Sequence, residues 1–274
     1  MMTNSRIISN LRAQPTLLRR LTPQRVARKL WRLFPRSDYV TYRSLKFPSR
    51  DMRNRMCGEA FKSDEFFLQS GIVEARRLVA RLGYTPGAKM VDIGSGLGRL
   101  AVGMLWEFGD VPYLGLEVNR EFTEWCQRRI SIDHPSYRFV RVDVENERYN
   151  PGGTLRSKIS LPIGDGDVDI VYMWGVFTNM GPDHVVNYAA EIGRILRPGG
   201  RAFLTAFVEP DVPDVSFNPE GYGPYVHDGS PLLVVRYNKS FLDSAFERAS
   251  LAVDEFRHHG GGFPYQSEIY LSKH

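Results

Sequence analysis

The chain has 274 residues, of which 42% are hydrophobic and 24% charged. That is the balance expected of a soluble globular protein with room for one α/β domain plus an extra segment, or for two small domains. No run approaches the roughly 18 apolar residues that a membrane-spanning helix needs. The net charge of +5 is unevenly spread, because residues 1–36 hold nine of the 36 Lys and Arg and none of the 31 Asp and Glu. The rest of the chain is therefore mildly acidic, which argues against a large nucleic-acid footprint on the body of the protein.

The basic arm is the first predicted element. Thr22 fits an N-cap with Pro23 at the first helical position. Val26, Leu30, Leu33 and Phe34 then share one helical face, while Arg25, Arg28, Lys29 and Arg32 occupy the rest. Three readings stay open: a helix packed on the domain, an amphipathic helix in peripheral contact with a membrane, or an organellar targeting segment. The arm has no secretory h-region with a small-residue cleavage site. Cys57 and Cys126 form no CxxC pair, which fits a reducing compartment and inert thiols. The expected location is the cytoplasm, on the inner face of the membrane if the arm is a surface helix.

Residues 1–63 are taken as this arm and a polar, aromatic connection, and residues 64–274 as the main domain. The pattern alternates helix and strand from there. A helix over 66–82 ends at Gly83. Strand one is Met90–Ile93, followed by a Gly turn and a helix over 97–108. Strand two is Tyr113–Leu116, followed by a helix over 119–132. Strand three is Tyr137–Val142. Strand four is Val168–Met173, followed by a helix over 183–196 that Arg197-Pro198-Gly199-Gly200 stops. Strand five is Ala202–Phe207. The segment 208–238 interrupts the rhythm with five prolines and with Phe217, Tyr222, Tyr225, His227 and Tyr237; its length and aromatic content suggest a substrate lid. A helix over 239–249 and strands at 251–257 and 267–272 complete the chain. The fold class predicted is α/β: a Rossmann-like, doubly wound, seven-stranded and mostly parallel sheet with an antiparallel C-terminal edge strand.

Three strand ends carry chemistry. After Asp92 at the first, Gly94, Ser95, Gly96 and Gly98 make a turn whose spacing is GxGxG, where the dinucleotide form is GxGxxG. Glycines let a ligand lie against bare main chain, and Asp92 suits a cationic moiety better than a pyrophosphate. Glu117 ends strand two about twenty residues on, where an acid can accept both ribose hydroxyls. Asp143 ends strand three, where it can accept from an adenine amino group while the main chain at Val144 serves a ring nitrogen.

The ordered set Val91-Asp92-Ile93-Gly94-Ser95-Gly96-Leu97-Gly98-Arg99, Glu117, Asp143, Asp169-Ile170-Val171-Tyr172 and Leu196-Arg197-Pro198-Gly199-Gly200 resembles the class I S-adenosylmethionine-dependent methyltransferases over roughly residues 66–272. Within them it looks like a bacterial small-molecule group often found beside glycosyltransferases. Trp125-Cys126, Tyr149-Asn150-Pro151-Gly152-Gly153, Val176-Phe177-Thr178-Asn179-Met180 and Tyr265-Gln266 carry that likeness. The resemblance implies S-adenosylmethionine as cofactor, with its methionine part at Asp92 and Gly94–Gly98, its ribose at Glu117 and its adenine at Asp143 and Val144. Trp174 would sit beside the sulfonium or the substrate, or be plain core.

The group usually reads Ser-Val-Phe-Thr-His-Met where this chain has Gly175-Val176-Phe177-Thr178-Asn179-Met180. An amide does not titrate, so Asn179 cannot replace a proton-accepting histidine. The candidate bases are His184 and His227, with His258-His259 beside Gly260-Gly261-Gly262 as a third place. No cluster has metal-ligand spacing, and no metal is expected. Strand four is followed neither by Asn/Asp-Pro-Pro-Tyr/Phe nor by a Pro-Cys nucleophile. With base amino groups and cytosine C5 disfavoured in this way, the resemblance implies O-methylation of a small hydroxylated acceptor such as a carbohydrate or glycolipid, and no nucleic-acid partner is expected. An NAD(P)-dependent oxidoreductase and a non-catalytic cofactor-fold module are the competing classes.

Overall fold

The computed structural model describes residues 37–155, 159–222, 234–260 and 266–274. The basic arm and His227 lie outside the described residues.

The stretch 37–63, which the sequence pattern leaves open, starts with a hairpin. Strands β1 (Tyr39–Tyr42) and β2 (Leu45–Pro48) pair antiparallel. Arg43 and Ser44 both take positive φ at the turn, as a tight hairpin with right-handed strand twist requires. Ser49 then caps α1 (Arg50–Cys57), its Oγ accepting the Met52 N–H at 3.3 Å. Arg53 of α1 is fully buried, donating to the Pro48 and Ser63 carbonyls and to the Asp64 carboxylate. Removing one member of such a buried pair typically costs about 3–5 kcal/mol, because the other charge is left uncompensated. Phe47 packs on Phe67 at 5.3 Å between ring centroids, so this stretch shares the hydrophobic cluster of the helix that follows.

That helix is α2 (Asp64–Leu82), capped by Ser63 and closed by Gly83 in the left-handed region. Its buried face, including Phe67, Ile72, Ala75 and Leu78, lies on α3 (Arg99–Phe108). Gly71 and Gly103 let the two backbones meet, since a Cβ at Gly103 would lie 2.1 Å from the Gly71 carbonyl oxygen. The close crossing fixes the start of α3, and with it the Gly turn that precedes it.

The sheet follows in the order β10-β11-β7-β6-β3-β4-β5. The strands are β3 (Met90–Ile93), β4 (Tyr113–Glu117), β5 (Tyr137–Arg141), β6 (Val168–Met173), β7 (Leu196–Glu209), β10 (Leu251–Arg257) and β11 (Ser267–Lys273). The run from β7 to β5 is parallel. The last strand, β11, is antiparallel to both β7 and β10, so the C-terminal hairpin inserts beside β7 and leaves β10 at the rim. Alternate residues serve opposite faces. In β6, Ile170 and Tyr172 join the cluster under α2 and α3. Val171 and Met173 join the cluster under α5 (Pro182–Ile195) and α6 (Lys239–Arg248). Between β4 and β5, α4 (Arg120–Cys126) continues into a π-helical turn over Gln127–Ser131.

Two boundaries differ from the pattern-based reading. β7 begins at Leu196, before the glycines, because Leu196 pairs with Val168 and the register slips before Ile170 meets Arg201. β7 also runs on to Glu209, where Phe207–Glu209 pairs with β9 (Val235–Asn238), which carries β8 (Val215–Phe217) on its other side. Among the described residues these two short strands raise the sheet from seven strands to nine; of the segment predicted as a lid, residues 223–233 lie outside the described residues.

Candidate functional site

Strand order reverses direction of growth at β3: the chain adds β4 and β5 on one side, then returns to place β6 on the other. Open α/β sheets bind ligands in the crevice this creates at the carboxyl ends of the strands. Asp92, next to last in β3, and Trp174, just after β6, flank it.

The Gly turn leaves β3 with Gly94, Gly96 and Gly98 all at positive φ. The N–H groups of Gly94 and Ser95 both donate to the Leu116 carbonyl, at 2.8 and 3.0 Å, which ties the turn to β4. At Gly94 a Cβ would lie 2.4 Å from Val176 Cγ2, and at Gly96 it would lie 1.9 Å from the Met56 methyl. The turn is thus a bare cradle with Met56 of α1 over one side. Ser95 Oγ is buried with no hydrogen-bond partner among the described residues, a polar atom that a ligand can satisfy.

Two of the three predicted acids line this crevice. Glu117 is 7% exposed and oriented by main chain: Gly96 N–H donates to its Oε2 at 2.7 Å and Asn119 N–H to its Oε1 at 2.8 Å. Burial raises its pKa, and the N–H groups of Asn119, Gly96 and Val118 work against that rise. Asp92 is 3% exposed and accepts from the Tyr113 hydroxyl. Burial pushes its pKa up to about 7, against the pull of Tyr113 and Arg99. Each carboxylate keeps lone pairs for hydroxyls or a cation.

Asp143 differs. It does not line the crevice, and its carboxylate is engaged by Arg141 at 2.6 Å, Asn150 at 3.0 Å and Thr154 at 2.9 Å. The hydrogen bonds from Asn150 and Thr154 hold its pKa low. Val144 does line the crevice, but its N–H is spent on the Val142 carbonyl at 2.9 Å.

The crevice has two connected parts that share Met56, Gly94, Tyr149, Trp174, Gly175 and Asn179. The inner part, a cavity of about 110 Å³, runs from Glu117 past Val118, Phe122, Val144 and Leu161. Its apolar walls with a few convergent polar groups are the lining of a small-molecule site. The outer part is a groove that passes Asp92, Ser95 and Arg99 and opens toward Phe61, Phe207 and Gln266. Trp174 lines both parts and also packs on Phe203 at 5.9 Å between ring centroids, so it belongs to the crevice wall and to the aromatic core at once. Cys57 lines the groove as well; burial pushes its thiol up to about 11, so it stays protonated.

Sequence reasoning missed Met56 and Asn146. Asn146 is 7% exposed, accepts the N–H groups of Arg148 and Tyr149 at 3.0 Å each, and donates to the Asn179 carbonyl at 3.0 Å. It joins the loop after β5 to the short helix Phe177–Asn179. Of the predicted bases, His184 lines the inner cavity beside Asn179 and Met180, while His258 and His259 lie against Glu209 instead.

Comparison with known proteins agrees with this geometry. Residues 90–200 match a family described as a methyltransferase domain. A stretch of 119 residues is 30% identical to phthiotriol/phenolphthiotriol dimycocerosates methyltransferase 1 of Mycobacterium ulcerans (strain Agy99); it is 43% of this chain and 37% of that protein. The match therefore spans little more than a third of that relative's length. Among solved structures, one described as a complex between the Haloferax volcanii Trm112 methyltransferase activator and the putative methyltransferase is similar at a TM-score of 0.54 and 19% identity, covering 77% of this chain and 94% of that one. Geranyl diphosphate methyltransferase with S-adenosylmethionine is similar at 0.53 and 15%, covering 74% and 85%. The fold is the Rossmann-like methyltransferase fold. The matched domain supports S-adenosylmethionine as the cofactor, and an oxidoreductase is not favoured.

Proposed function

We propose that the chain transfers the methyl group of S-adenosylmethionine to a hydroxyl of a small acceptor, a carbohydrate or glycolipid. The observation that carries this reading is Glu117, a buried carboxylate aimed into the cavity from β4 and held in place by the N–H of the Gly turn itself. The cofactor supplies an electrophilic methyl group. Everything else is alignment and proton handling by the chain. Glu117 would accept both ribose hydroxyls, with Phe122, Val144 and Leu161 as the apolar walls around the base. Asp92 and Ser95 would meet the amino-acid end, where the negative charge of Asp92 suits an ammonium group.

His184 would accept the acceptor's proton, in the place the Asn179 amide cannot fill. The name of the Mycobacterium ulcerans relative, a phthiotriol/phenolphthiotriol dimycocerosates methyltransferase, supports a hydroxyl-bearing acceptor. So does an outer groove lined by apolar side chains and by charged ones of both signs, Arg99 and Arg148 with Glu59, Glu74 and Asp92.

Calorimetry should show one S-adenosylmethionine bound with micromolar affinity, lost in Glu117→Ala. Unaltered binding in that variant rejects the site. With methyl-labelled cofactor, a screen of hydroxylated acceptors should yield an O-methyl product, and His184→Ala should lower kcat while leaving cofactor affinity unchanged. Label found on nitrogen or carbon rejects the acceptor class alone. For residues 1–36 we infer peripheral membrane contact from the amphipathic pattern. Sedimentation with anionic vesicles should weaken with salt and disappear when the arm is deleted.

A further inference from the structure

Outside the crevice, three ligating side chains from two distant parts of the chain converge. Glu209 is the last residue of β7, and His258 and His259 follow β10 in the turn toward β11. His258 Nε2 lies 3.0 Å from one carboxylate oxygen of Glu209, and His259 Nε2 lies 2.8 Å from the other. All three ligand atoms fall within 4.8 Å of one another. Consecutive side chains of an extended segment point to opposite faces, so neighbouring histidines do not normally meet one partner. Here His259 adopts φ +52°, which is uncommon for a residue with a side chain, and the two rings lie 3.8 Å apart between centroids. Its N–H donates to Ser267 Oγ at 3.3 Å, which fixes the turn against β11. Backbone strain is thus spent on crowding two imidazoles onto a single carboxylate.

We propose that Glu209, His258 and His259 bind a divalent transition-metal ion of the zinc type. Two imidazole nitrogens and one carboxylate oxygen are the donor set such an ion accepts with one coordination position left open, whereas Mg²⁺ and Ca²⁺ take oxygen ligands. Ligands about 2.0–2.2 Å from a tetrahedral ion lie somewhat more than 3 Å apart, and the three ligand atoms here, all within 4.8 Å of one another, reach that spacing by side-chain rotation. The side chains of His258 and His259 are 44% and 37% exposed, which gives an ion a way in. The Tyr222 hydroxyl donates to Glu209 Oε1 at 3.3 Å and steadies the carboxylate from outside the set. Tyr222 also packs edge-on against Phe207, which lines the outer groove. The ion would tie the β10–β11 turn to the end of β7 at the acceptor side of the molecule. This assignment does not depend on the methyl-transfer reading.

The test is titration of the untagged, chelator-stripped full chain with zinc alone, followed by calorimetry and thermal melting. One ion should bind with micromolar or tighter affinity and raise Tm. His258→Ala, His259→Ala and Glu209→Gln should each weaken binding about tenfold or more, with the far-ultraviolet circular dichroism and cofactor affinity unchanged. Mg²⁺ should neither bind nor raise Tm. Absence of stoichiometric binding, or native affinity retained in the three variants, overturns the proposal. If a variant fails to fold, Co²⁺ on the native chain gives the answer: a visible band of tetrahedral intensity supports the site, and its absence overturns it.

Discussion

Asp92 and Glu117 lie at the carboxyl ends of two neighbouring strands, next to last in β3 and last in β4, as buried carboxylates with raised pKa values, whereas Asp143, just beyond the third, is partly exposed, ion-paired and held low. Position on the sheet does not distinguish them; the partners around each carboxylate do. The first two have given up their water without gaining a full set of partners, an arrangement that favours a ligand able to restore what is missing. Asp143 is already satisfied by Arg141, Asn150 and Thr154, and a ligand would have to displace those bonds. Three acids that look equivalent in sequence therefore divide into two that are ready for a ligand and one that organises a loop.

The strongest way to sharpen this contrast is to remove Glu117. Hydrogen bonds to a charged group contribute about 1.5–3 kcal/mol each, and two ribose hydroxyls are at stake. Glu117→Ala should weaken S-adenosylmethionine binding by about a hundredfold or more in calorimetry. A loss below tenfold would place the ribose elsewhere.

Asp92 should show the same effect as a dependence on pH. In the free protein its pKa is about 7, so the carboxyl is largely protonated below that value and ionised above it. A cationic ligand prefers the ionised form, so affinity should rise with pH toward about tenfold per unit below 7, and level off above about 8. Binding near pH 6.5 should release a proton, measurable from calorimetry in buffers of different ionisation enthalpy. Asp92→Asn should bind about tenfold more weakly and lose the pH slope. Stability runs the other way. Because the folded pKa is raised, the folded state holds a proton that the unfolded chain gives up between pH 3.8 and about 7. Native stability from this group is thus complete at acid pH and falls as pH rises through 7, so Asp92→Asn should raise Tm most above pH 7. A variant as labile as the native chain at pH 8 would contradict the burial argument.

The cradle between these two acids should respond to a smaller change. Gly96 has φ +53°, and a Cβ there meets the end of the flexible Met56 side chain. Gly96→Ala should cost about 1–2 kcal/mol in denaturant unfolding, through strain and the displaced thioether. Met56→Ala in the same chain should recover the steric part and leave the strain, as a double-mutant cycle would show. If the two substitutions are additive, Met56 does not cover the turn.

Much of this was legible in the sequence because it rests on local rules. Strand and helix periodicity placed β3, β4, β6 and α5 within a residue or two. Gly94, Gly96 and Gly98 announced positive φ, and Glu117 stood at the right spacing to end the next strand. What escaped depends on contacts between distant segments. Arg53, buried between Asp64 and two carbonyls, reads in sequence as one more charged residue of a polar stretch. Met56 reaches the crevice only because α1 folds over the Gly turn, and Asn146 matters only because the loop after β5 meets Asn179. Glu209 and the two histidines are some fifty residues apart, a separation that no ligand-spacing pattern anticipates. Asp143 is the opposite case: its position in the strand order was legible, but its partners were not.

Asp143 accordingly carries the smallest expected effect and the most direct way to break the contrast. Its side chain is 35% exposed, and its pairing with Arg141 takes place in partly hydrated surroundings where ion pairs contribute little. Asp143→Ala should alter S-adenosylmethionine affinity by less than about threefold, the scale of a contact that the ligand does not make. The loss should fall on the loop instead. Asn150 Nδ2 and Thr154 Oγ1 lose an acceptor, so amide exchange across residues 145–155 should quicken while that of β3 and β4 stays slow. If Asp143→Ala instead weakened the cofactor as much as Glu117→Ala, the carboxylate would have to leave Arg141 and turn into the crevice on binding. The three acids would then act as one set, with the ligand itself supplying the energy to reorder the third.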